Sequence, residues 1–167
     1  AAKSLGLKRV VLARELTAVE IQTASSASDV EVEVFVQGAL CFSCSGRCLL
    51  SSWGGGRSGN RGACTSPCRV PWKLPENDPE RPLSMFDLCL ADRLPELAAC
   101  GVHSLKIEGR LKSPAWVRQA VTLYRQAREG TLDKAALEKQ AAELGAYSGR
   151  QLSSAFFSGI RSNITGE

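Results

Sequence analysis

Cysteine is the residue type in this chain that most strongly suggests chemistry. The 167 residues include seven cysteines, and five of them lie between positions 41 and 68. Thiolates are soft ligands that bind Zn²⁺ tetrahedrally or hold a 4Fe–4S cluster. The odd number of cysteines, in a chain without the basic-then-apolar start of a secretory signal, disfavours a disulfide framework. The five clustered cysteines are Cys41, Cys44, Cys48, Cys64 and Cys68.

The spacing of these cysteines is compatible with more than one site. Cys41 and Cys48, together with the Cys64–Cys68 pair, supply four thiolates suited to an iron–sulfur cluster. If Cys44 is a ligand instead, Cys41-x2-Cys44 and Cys64-x3-Cys68 resemble a zinc knuckle. Buried free thiols are the third interpretation. The spacing by itself leaves iron–sulfur and zinc equally favoured.

The cysteine segment is also the basic segment. Residues 34–75 contain no acidic side chain and five basic ones, in a chain whose net charge is only +4. Guanidinium groups beside four thiolates would stabilise a negatively charged cluster, or they would bind phosphates, or they would simply be solvated. The basic residues are Arg47, Arg57, Arg61, Arg69 and Lys73.

Composition limits the class of protein. Hydrophobic residues make up 44% and charged residues 23%, as in a globular domain, which argues against a disordered chain. No apolar run approaches the roughly 18 residues of a membrane span. We therefore expect a cytoplasmic protein of one domain's length. Because the first residue is Ala1 rather than Met, we expect the chain to be part of a longer protein.

Hydrophobic patterns predict the elements that must position the cysteines. Short β-branched runs predict strands over 8–13, 31–36 and 104–108. A first helix is predicted after the capping box of Thr17 and Glu20, and a second runs from Ser84–Asp87 through Leu97 with a bend at Pro95. Two more are predicted over 114–129, capped by Ser113, and over 132–144, capped by Thr131. Between Gly38 and Pro82 the chain is rich in glycine and proline, which predicts a long functional loop.

Alternating strands and helices predict an α/β fold with parallel strands. Three strands are too few for a closed barrel, so we expect either further strands upstream of Ala1 or a small open unit. Loops that follow parallel strands emerge on one face. We therefore expect Arg14–Glu15, the cysteine loop and Glu108–Arg110 to converge.

Several motifs, in order, resemble peptidase family U32, the collagenase-like family. They are Glu33–Cys41 (EVFVQGALC), Ser45–Ser51 (SGRCLLS), Gly55–Gly62 (GGRSGNRG), Cys64–Arg69 (CTSPCR), Asp87–Leu88, and Ser104–Arg110 (SLKIEGR). The resemblance runs from about Val10 to Tyr124. It is weaker after Gly145, and Cys44 and Trp72 stand where relatives often have Tyr.

The resemblance implies the C-terminal part of a TIM-like β/α barrel over residues 1–129, including the cysteine-rich loop 38–82. Residues 130–167 are then a helical extension or the start of a following region. It also implies an RNA-modifying hydroxylase that forms a 5-hydroxypyrimidine in tRNA or 23S rRNA, with prephenate as co-substrate. The ligands of a 4Fe–4S cluster then map onto Cys41, Cys48, Cys64 and Cys68. Cys44 is interpreted as an apolar filler or a spare ligand, and Cys89 and Cys100 as bystanders.

Candidate site residues follow from charge and chemistry. Glu108 is a candidate general acid or base, or a partner of Arg110, and Lys106 is a second catalytic candidate. Guanidinium groups match phosphates and carboxylates in geometry and charge. An aromatic side chain can stack on a base, and the candidate is Trp53, with Phe42 and Trp72 as alternatives. The basic candidates for RNA or prephenate are Arg57, Arg61, Arg69, Arg110 and Lys106.

Two other functions compete with this hypothesis. A peptidase needs a base near its nucleophile, and the single histidine, His103, precedes a predicted strand and is expected to be structural or on the surface. No HExxH motif is present. A zinc-stabilised binding module without catalytic activity is the second alternative, and the identity of the metal separates it from the hydroxylase.

Overall fold

The computed structural model describes residues 2–73 and 80–166, so positions 74–79 of the predicted loop lie outside the described residues. Its centre is a mixed sheet whose strands are mostly parallel. The strands are β1 (Arg9–Val11), β2 (Glu31–Ala39), β3 (Asp87–Cys89), β4 (Ser104–Ile107) and β5 (Leu152–Ser153). The helices are α1 (Ala18–Ser26), α2 (Leu50–Gly55), α3 (Leu94–Ala99), α4 (Pro114–Glu129) and α5 (Lys134–Ala146).

Strand β2 organises the sheet because three strands pair with it. Strand β1 runs parallel to its first residues, with Arg9 opposite Glu31. Strand β4 runs parallel to its middle, and the register shifts between Phe35 and Gln37. Strand β3 runs antiparallel to its last residues, with Asp87 opposite Ala39, and β5 pairs in parallel with β3. The predicted strands and the parallel pairing of β1, β2 and β4 are thus confirmed.

The two faces of β2 have opposite character, as the alternating sequence predicts. Val32, Val34 and Val36 are buried in one apolar cluster with residues of the helices, including Leu97 and Leu123. The opposite face carries charged side chains that pair with one another. We call this surface the polar face of the sheet, and its members are Arg9, Glu31, Glu33, Ser104 and Lys106.

Local capping signals predicted the helix starts well. The Thr17 hydroxyl accepts from the backbone N–H of Glu20, and the Glu20 carboxylate accepts from that of Thr17 at 2.7 Å, so the capping box is present. Ser113 caps α4 by accepting from the N–H of Trp116. Helix α5 begins two residues later than predicted, because its cap is Asp133 rather than Thr131.

Two predictions about residues 38–101 were wrong. Residues 87–89 form strand β3 instead of the first turn of a helix, because they pair with the end of β2. The helix is confined to α3, where Pro95 lies in the first turn, so that proline opens the helix instead of bending it. The long loop also contains regular structure, namely α2 and two short 3₁₀ turns.

Residues beyond Gly145 join the sheet through a buried carboxylate. Asp87 is 3% exposed and accepts from Arg150 Nε at 2.8 Å and from the Ser148 hydroxyl at 2.8 Å. Lys112 lies 4.0 Å from the same carboxylate. These contacts hold the segment before β5 against β3. Among the helices that the structure describes, none has the length and apolar character needed to cross a membrane.

Candidate functional site

The five clustered cysteines line one cavity of about 480 Å³. Its wall also includes Arg14, which follows β1, and Glu108 and Arg110, which follow β4. The predicted convergence of the three post-strand segments is therefore confirmed. The cavity lies where β2 ends and the cysteine loop begins, so the sheet positions the start of the loop and the loop itself supplies the thiols.

Four thiols in this cavity influence one another electrostatically. Burial raises the pKa of Cys41, and the charges of Cys48 and Cys64 raise it further. Burial likewise raises the pKa of Cys68, with Cys41 and Cys64 adding to the effect. Cys41 and Cys64 are exposed and Cys48 and Cys68 are half-buried, and bringing several thiolates close together is unfavourable unless a cation or cluster neutralises them. The donor set of Cys41, Cys48, Cys64 and Cys68 therefore fits a thiolate-bound metal group in its chemistry.

Cys64 differs from its neighbours. Burial opposes its ionisation, but hydrogen bonds from the Ser51 hydroxyl at 3.6 Å and the Ser66 backbone N–H at 3.3 Å lower the pKa of the Cys64 thiol overall. Ser51 is itself buried and accepts from the backbone N–H of Thr65 at 3.1 Å. Within residues 2–73 and 80–166, no three His, Cys, Asp or Glu side chains are already arranged to hold a metal ion.

Polar contacts that do not involve the thiols hold the cysteine loop in place. The Glu15 carboxylate accepts from the backbone N–H of Ser45 at 2.7 Å and from its hydroxyl at 2.9 Å. The side-chain amide of Asn60 donates to the carbonyl of Cys48 at 3.1 Å. Glu15 thus attaches the loop to the segment after β1, and Asn60 joins two parts of the loop to each other.

Glu108 pairs with Arg14 and not with Arg110, so the predicted Glu108–Arg110 pair is wrong. Arg14 donates to Glu108 Oε2 at 2.7 Å and to the carbonyl of Ala39, and its guanidinium lies 3.8 Å above the ring of Phe35. Arg110 donates instead to the backbone carbonyl of Gly62. The ends of β1 and β4 bring Arg14 and Glu108 together, whereas Arg110 turns toward the cysteine loop.

Arg69 lines the cavity but is bound to the backbone. Its guanidinium donates to the carbonyls of Leu40 and Met85 and to the Ser84 hydroxyl at 3.1 Å. These contacts join the end of β2 to the segment before β3. The described contacts of Arg69 therefore hold the two ends of the cysteine loop together.

The cavity wall does not include four other candidates, namely Lys106, Arg57, Arg61 and Trp53. Lys106 belongs to the polar face of the sheet, where its Nζ lies 3.1 Å from Glu33 Oε1. Arg57 and Arg61 are exposed on the outside of the loop, and Trp53 is 80% exposed. Among the candidate aromatic residues, Phe42 lines the cavity.

The bystander cysteines and the histidine lie elsewhere. The thiol of Cys89 is 3.9 Å from the Tyr124 hydroxyl, and that of Cys100 is 3.5 Å from the carbonyl of Ala18. His103 precedes β4, and its Nδ1 accepts from the backbone N–H of Val32 at 3.2 Å. His103 is thus structural, as predicted, and pairs with no cysteine in the described part of the chain.

Several residues that shape the site are not among the predicted site residues. The sequence predicts Arg14 and Glu15 only as part of a converging segment, and it predicts no role for Ser51 or Asn60. The available signal for Arg14 and Glu15 was their position directly after a buried strand. Ser51 and Asn60 lie inside the motifs Ser45–Ser51 and Gly55–Gly62, but their roles depend on the fold of the loop.

Comparison with known proteins settles the family. The family model of peptidase family U32 matches residues 1–166. The chain belongs to peptidase family U32. The predicted resemblance is therefore confirmed, and it extends beyond the motifs that indicated it. No solved structure matches this U32 chain.

Curated U32 relatives carry different names. The tRNA hydroxylation protein P1 of Bacillus subtilis is 36% identical over 94% of this chain and 41% of its own length. A 23S rRNA 5-hydroxycytidine synthase of Escherichia coli is 37% identical over 78% of this chain and 21% of its own length. A protein of Porphyromonas gingivalis named collagenase is 30% identical over 91% of this chain and 42% of its own length. The chain thus spans less than half the length of these relatives.

Proposed function

We propose that this U32 chain is the cysteine-bearing part of an RNA-modifying enzyme that forms a 5-hydroxypyrimidine in tRNA or 23S rRNA. The observation that carries the proposal is the cavity that combines the clustered cysteines with Glu108 and Arg110. Relatives named for tRNA hydroxylation and for 23S rRNA 5-hydroxycytidine synthesis support it. A cavity with soft ligands, a carboxylate and guanidinium groups suits redox chemistry on an anionic or nucleic-acid substrate.

Cys41, Cys48, Cys64 and Cys68 would hold a 4Fe–4S cluster, with zinc as the alternative metal. When bound, such a cluster supplies electron-transfer chemistry at the cavity wall. Glu108 is the proposed acceptor for a proton that leaves the substrate, since it is the carboxylate at the cavity wall. Prephenate is the proposed co-substrate and source of the hydroxyl group.

The exposed basic surface is the proposed RNA contact. Arg57 and Arg61 lie on the outside of the cysteine loop, where they can approach phosphates. Trp53 is exposed close to them in sequence and offers a stacking surface for a base. Lys106 is held by Glu33, so a catalytic role for it would require release from that ion pair.

We also propose that the sheet is part of a larger β/α barrel. The parallel strands β1, β2 and β4 bury one face against helices, as barrel strands do. The polar face of the sheet would then point inward. There the hydrogen bond from Ser104 and the nearby Lys106 hold the pKa of Glu33 below its usual value, so Glu33 stays ionised.

Two measurements test the proposed function. Nucleoside mass spectrometry of tRNA and rRNA from cells lacking the gene should show the loss of one 5-hydroxypyrimidine, which wild-type and Cys89→Ala proteins restore and Cys48→Ala does not. Unchanged modification in the deletion strain would contradict the proposal. Anaerobic purification followed by iron, sulfide and zinc analysis should give iron and sulfide, whereas stoichiometric zinc without iron would favour the zinc alternative.

Peptidase activity is less well supported by the site. One relative is named collagenase, but a thiol or hydroxyl nucleophile needs a nearby base. The ring of His103 is engaged with the backbone of Val32, away from the cysteines. Hydrolysis of gelatin by the purified protein, with unchanged RNA modification in the deletion strain, would reverse this preference.

A further inference from the structure

Arg14 is held rigidly at the cavity wall by three contacts on one side. Its NH1 group donates to Glu108 and to the carbonyl of Ala39, and the guanidinium plane stacks on Phe35 at 3.8 Å. The side chain is only 20% exposed. An arginine fixed in this way loses little conformational freedom when a ligand binds, which favours recognition.

The other edge of the guanidinium has no hydrogen-bond partner among residues 2–73 and 80–166. In the described part of the chain, no residue accepts a hydrogen bond from Nε or NH2 of Arg14. These donors belong to a side chain that lines the cysteine cavity. Two parallel N–H groups along one edge of a guanidinium match the two oxygens of a carboxylate.

The charge around this edge also favours an anion. The Arg14–Glu108 pair is neutral as a unit, and Arg110, on the same cavity wall, adds one positive charge. Arg110 uses a hydrogen bond to the Gly62 carbonyl, which does not neutralise it. Arg69 lines the same cavity, so the charged side chains of its wall carry a net positive charge, which favours an anionic ligand.

We propose that Arg14 binds a carboxylate group of a small organic acid in the cysteine cavity, with Arg110 as the second cation. The proposal rests on the proposed function, in which such an acid is the co-substrate, and names the residue that recognises it. A small acid fits better than an RNA phosphate, because Arg14 is recessed in a cavity of about 480 Å³, within the usual size range of small-molecule sites. The exposed Arg57 and Arg61 are the better positioned contacts for a nucleic-acid backbone.

The test is isothermal titration calorimetry of the purified chain with prephenate, malonate and inorganic phosphate. The two carboxylic acids should bind, and phosphate should bind more weakly. Arg14→Gln should weaken acid binding by about tenfold or more, the scale of one charge-assisted hydrogen-bond pair. Arg14→Lys, which keeps the charge but loses the planar edge, should give an intermediate affinity. Arg93→Gln removes an exposed arginine paired with Glu96 and is the matched control, with unchanged affinity.

Glu108→Gln separates ligand binding from a merely structural role of Arg14. Removing the carboxylate frees NH1 of Arg14 and raises the positive charge, so acid binding should become tighter. The proposal is overturned if Arg14→Gln keeps both wild-type affinity and a native circular dichroism spectrum. It is also overturned if Glu108→Gln binds the acids more weakly, or if the protein binds phosphate more tightly than malonate. The two proposals can fail separately. If Arg14→Gln loses acid binding but the deletion strain keeps all its 5-hydroxypyrimidines, this inference holds and the proposed function is wrong.

Discussion

Glu108 occupies the space that a side chain on Gly38 would need. A β-carbon built on Gly38 would lie 2.7 Å from the Cβ of Glu108, closer than nonbonded carbon atoms approach. Gly38 also has φ +127°, a conformation that residues with a side chain rarely adopt. The end of β2 and the carboxylate at the cavity wall are therefore fitted to each other.

Gly38→Ala should destabilise the protein by about 2 kcal/mol or more, because both the backbone and Glu108 must move. Chemical denaturation monitored by circular dichroism measures the change. Gly54→Ala is the matched control, since Gly54 lies in helix α2 with open space around it. That substitution should stabilise the protein by about 0.5 kcal/mol. Equal effects of the two substitutions would contradict the close fit.

Glu15→Gln should loosen the cysteine loop without unfolding the protein. The neutral amide is a weaker acceptor for the Ser45 N–H and hydroxyl, so the tether should lose about 1 kcal/mol locally. The backbone amide of Ser45 should then exchange with solvent roughly fivefold faster in hydrogen-exchange mass spectrometry. Glu31→Gln, at an exposed ion pair of β1 and β2, should leave this exchange unchanged. Protection that stays the same in Glu15→Gln would remove its tethering role.

Thiol reactivity in the metal-free protein should depend on pH in a fixed order. Cys64 should react with iodoacetamide at lower pH than Cys41 or Cys68, because its pKa is lowered while burial raises theirs. Peptide mass spectrometry across pH 6–10, roughly spanning the ordinary thiol pKa, measures the order. Earlier alkylation of Cys68 than of Cys64 would contradict it.

The raised thiol pKa values also predict the direction of the stability change with pH. For Cys41 and Cys68 the folded protein favours the neutral thiol, so the unfolded chain releases these protons first. Their contribution to stability is complete below the unfolded pKa, about 8.5, and is lost as pH rises through the folded values. The free energy of unfolding of the metal-free protein should therefore fall above about pH 8.5, and Cys41→Ala should reduce that fall.

Arg150→Met should be strongly destabilising. It leaves the carboxylate of Asp87, which is buried, without its closest cation, and breaking a buried pair from one side costs about 3 kcal/mol or more. Lys112, 4.0 Å away, compensates only in part. Urea denaturation measures the loss, with Arg128→Met at an exposed position as the control. A loss below about 1 kcal/mol would show that water reaches Asp87 in solution.

Substituting single cysteines should separate ligands from neighbours. Cys48→Ala should lose most of the iron after anaerobic reconstitution, whereas Cys44→Ala, which removes an exposed thiol of the cavity wall, should keep it. Iron analysis and visible absorbance report the outcome. Loss of iron in Cys44→Ala with retention in Cys48→Ala would assign the fourth ligand to Cys44 instead.

The features that were predicted correctly from the sequence depend mostly on residues close together in the chain. The capping box of Thr17 and the cap at Ser113 are local signals, and both helices begin where those signals place them. The alternation over residues 31–36 correctly predicted that the valines of β2 are buried. Convergence of the post-strand segments followed from topology, and Arg14, the cysteine loop and Glu108 do share one cavity.

Features that depend on distant partners escaped prediction. Strand β3 is three residues long and exists because it pairs with the end of β2, far back in the chain. Helix α2 contains two of three consecutive glycines, which have low helix propensity, so its pattern did not indicate a helix. Arg110 is closer to Glu108 in sequence than Arg14 is, yet the parallel pairing of β1 and β4 with β2 decides in favour of Arg14.

The antiparallel pairing of β2 with β3 makes the cysteine segment an insertion with one attachment point on the sheet. Ala39 and Asp87 lie directly opposite each other, so the segment leaves and re-enters the sheet at one point. Arg69 joins the two ends of the segment. Glu15 and Arg110 contact it from the ends of β1 and β4, so a replacement segment would need partners for these two side chains as well as matching ends.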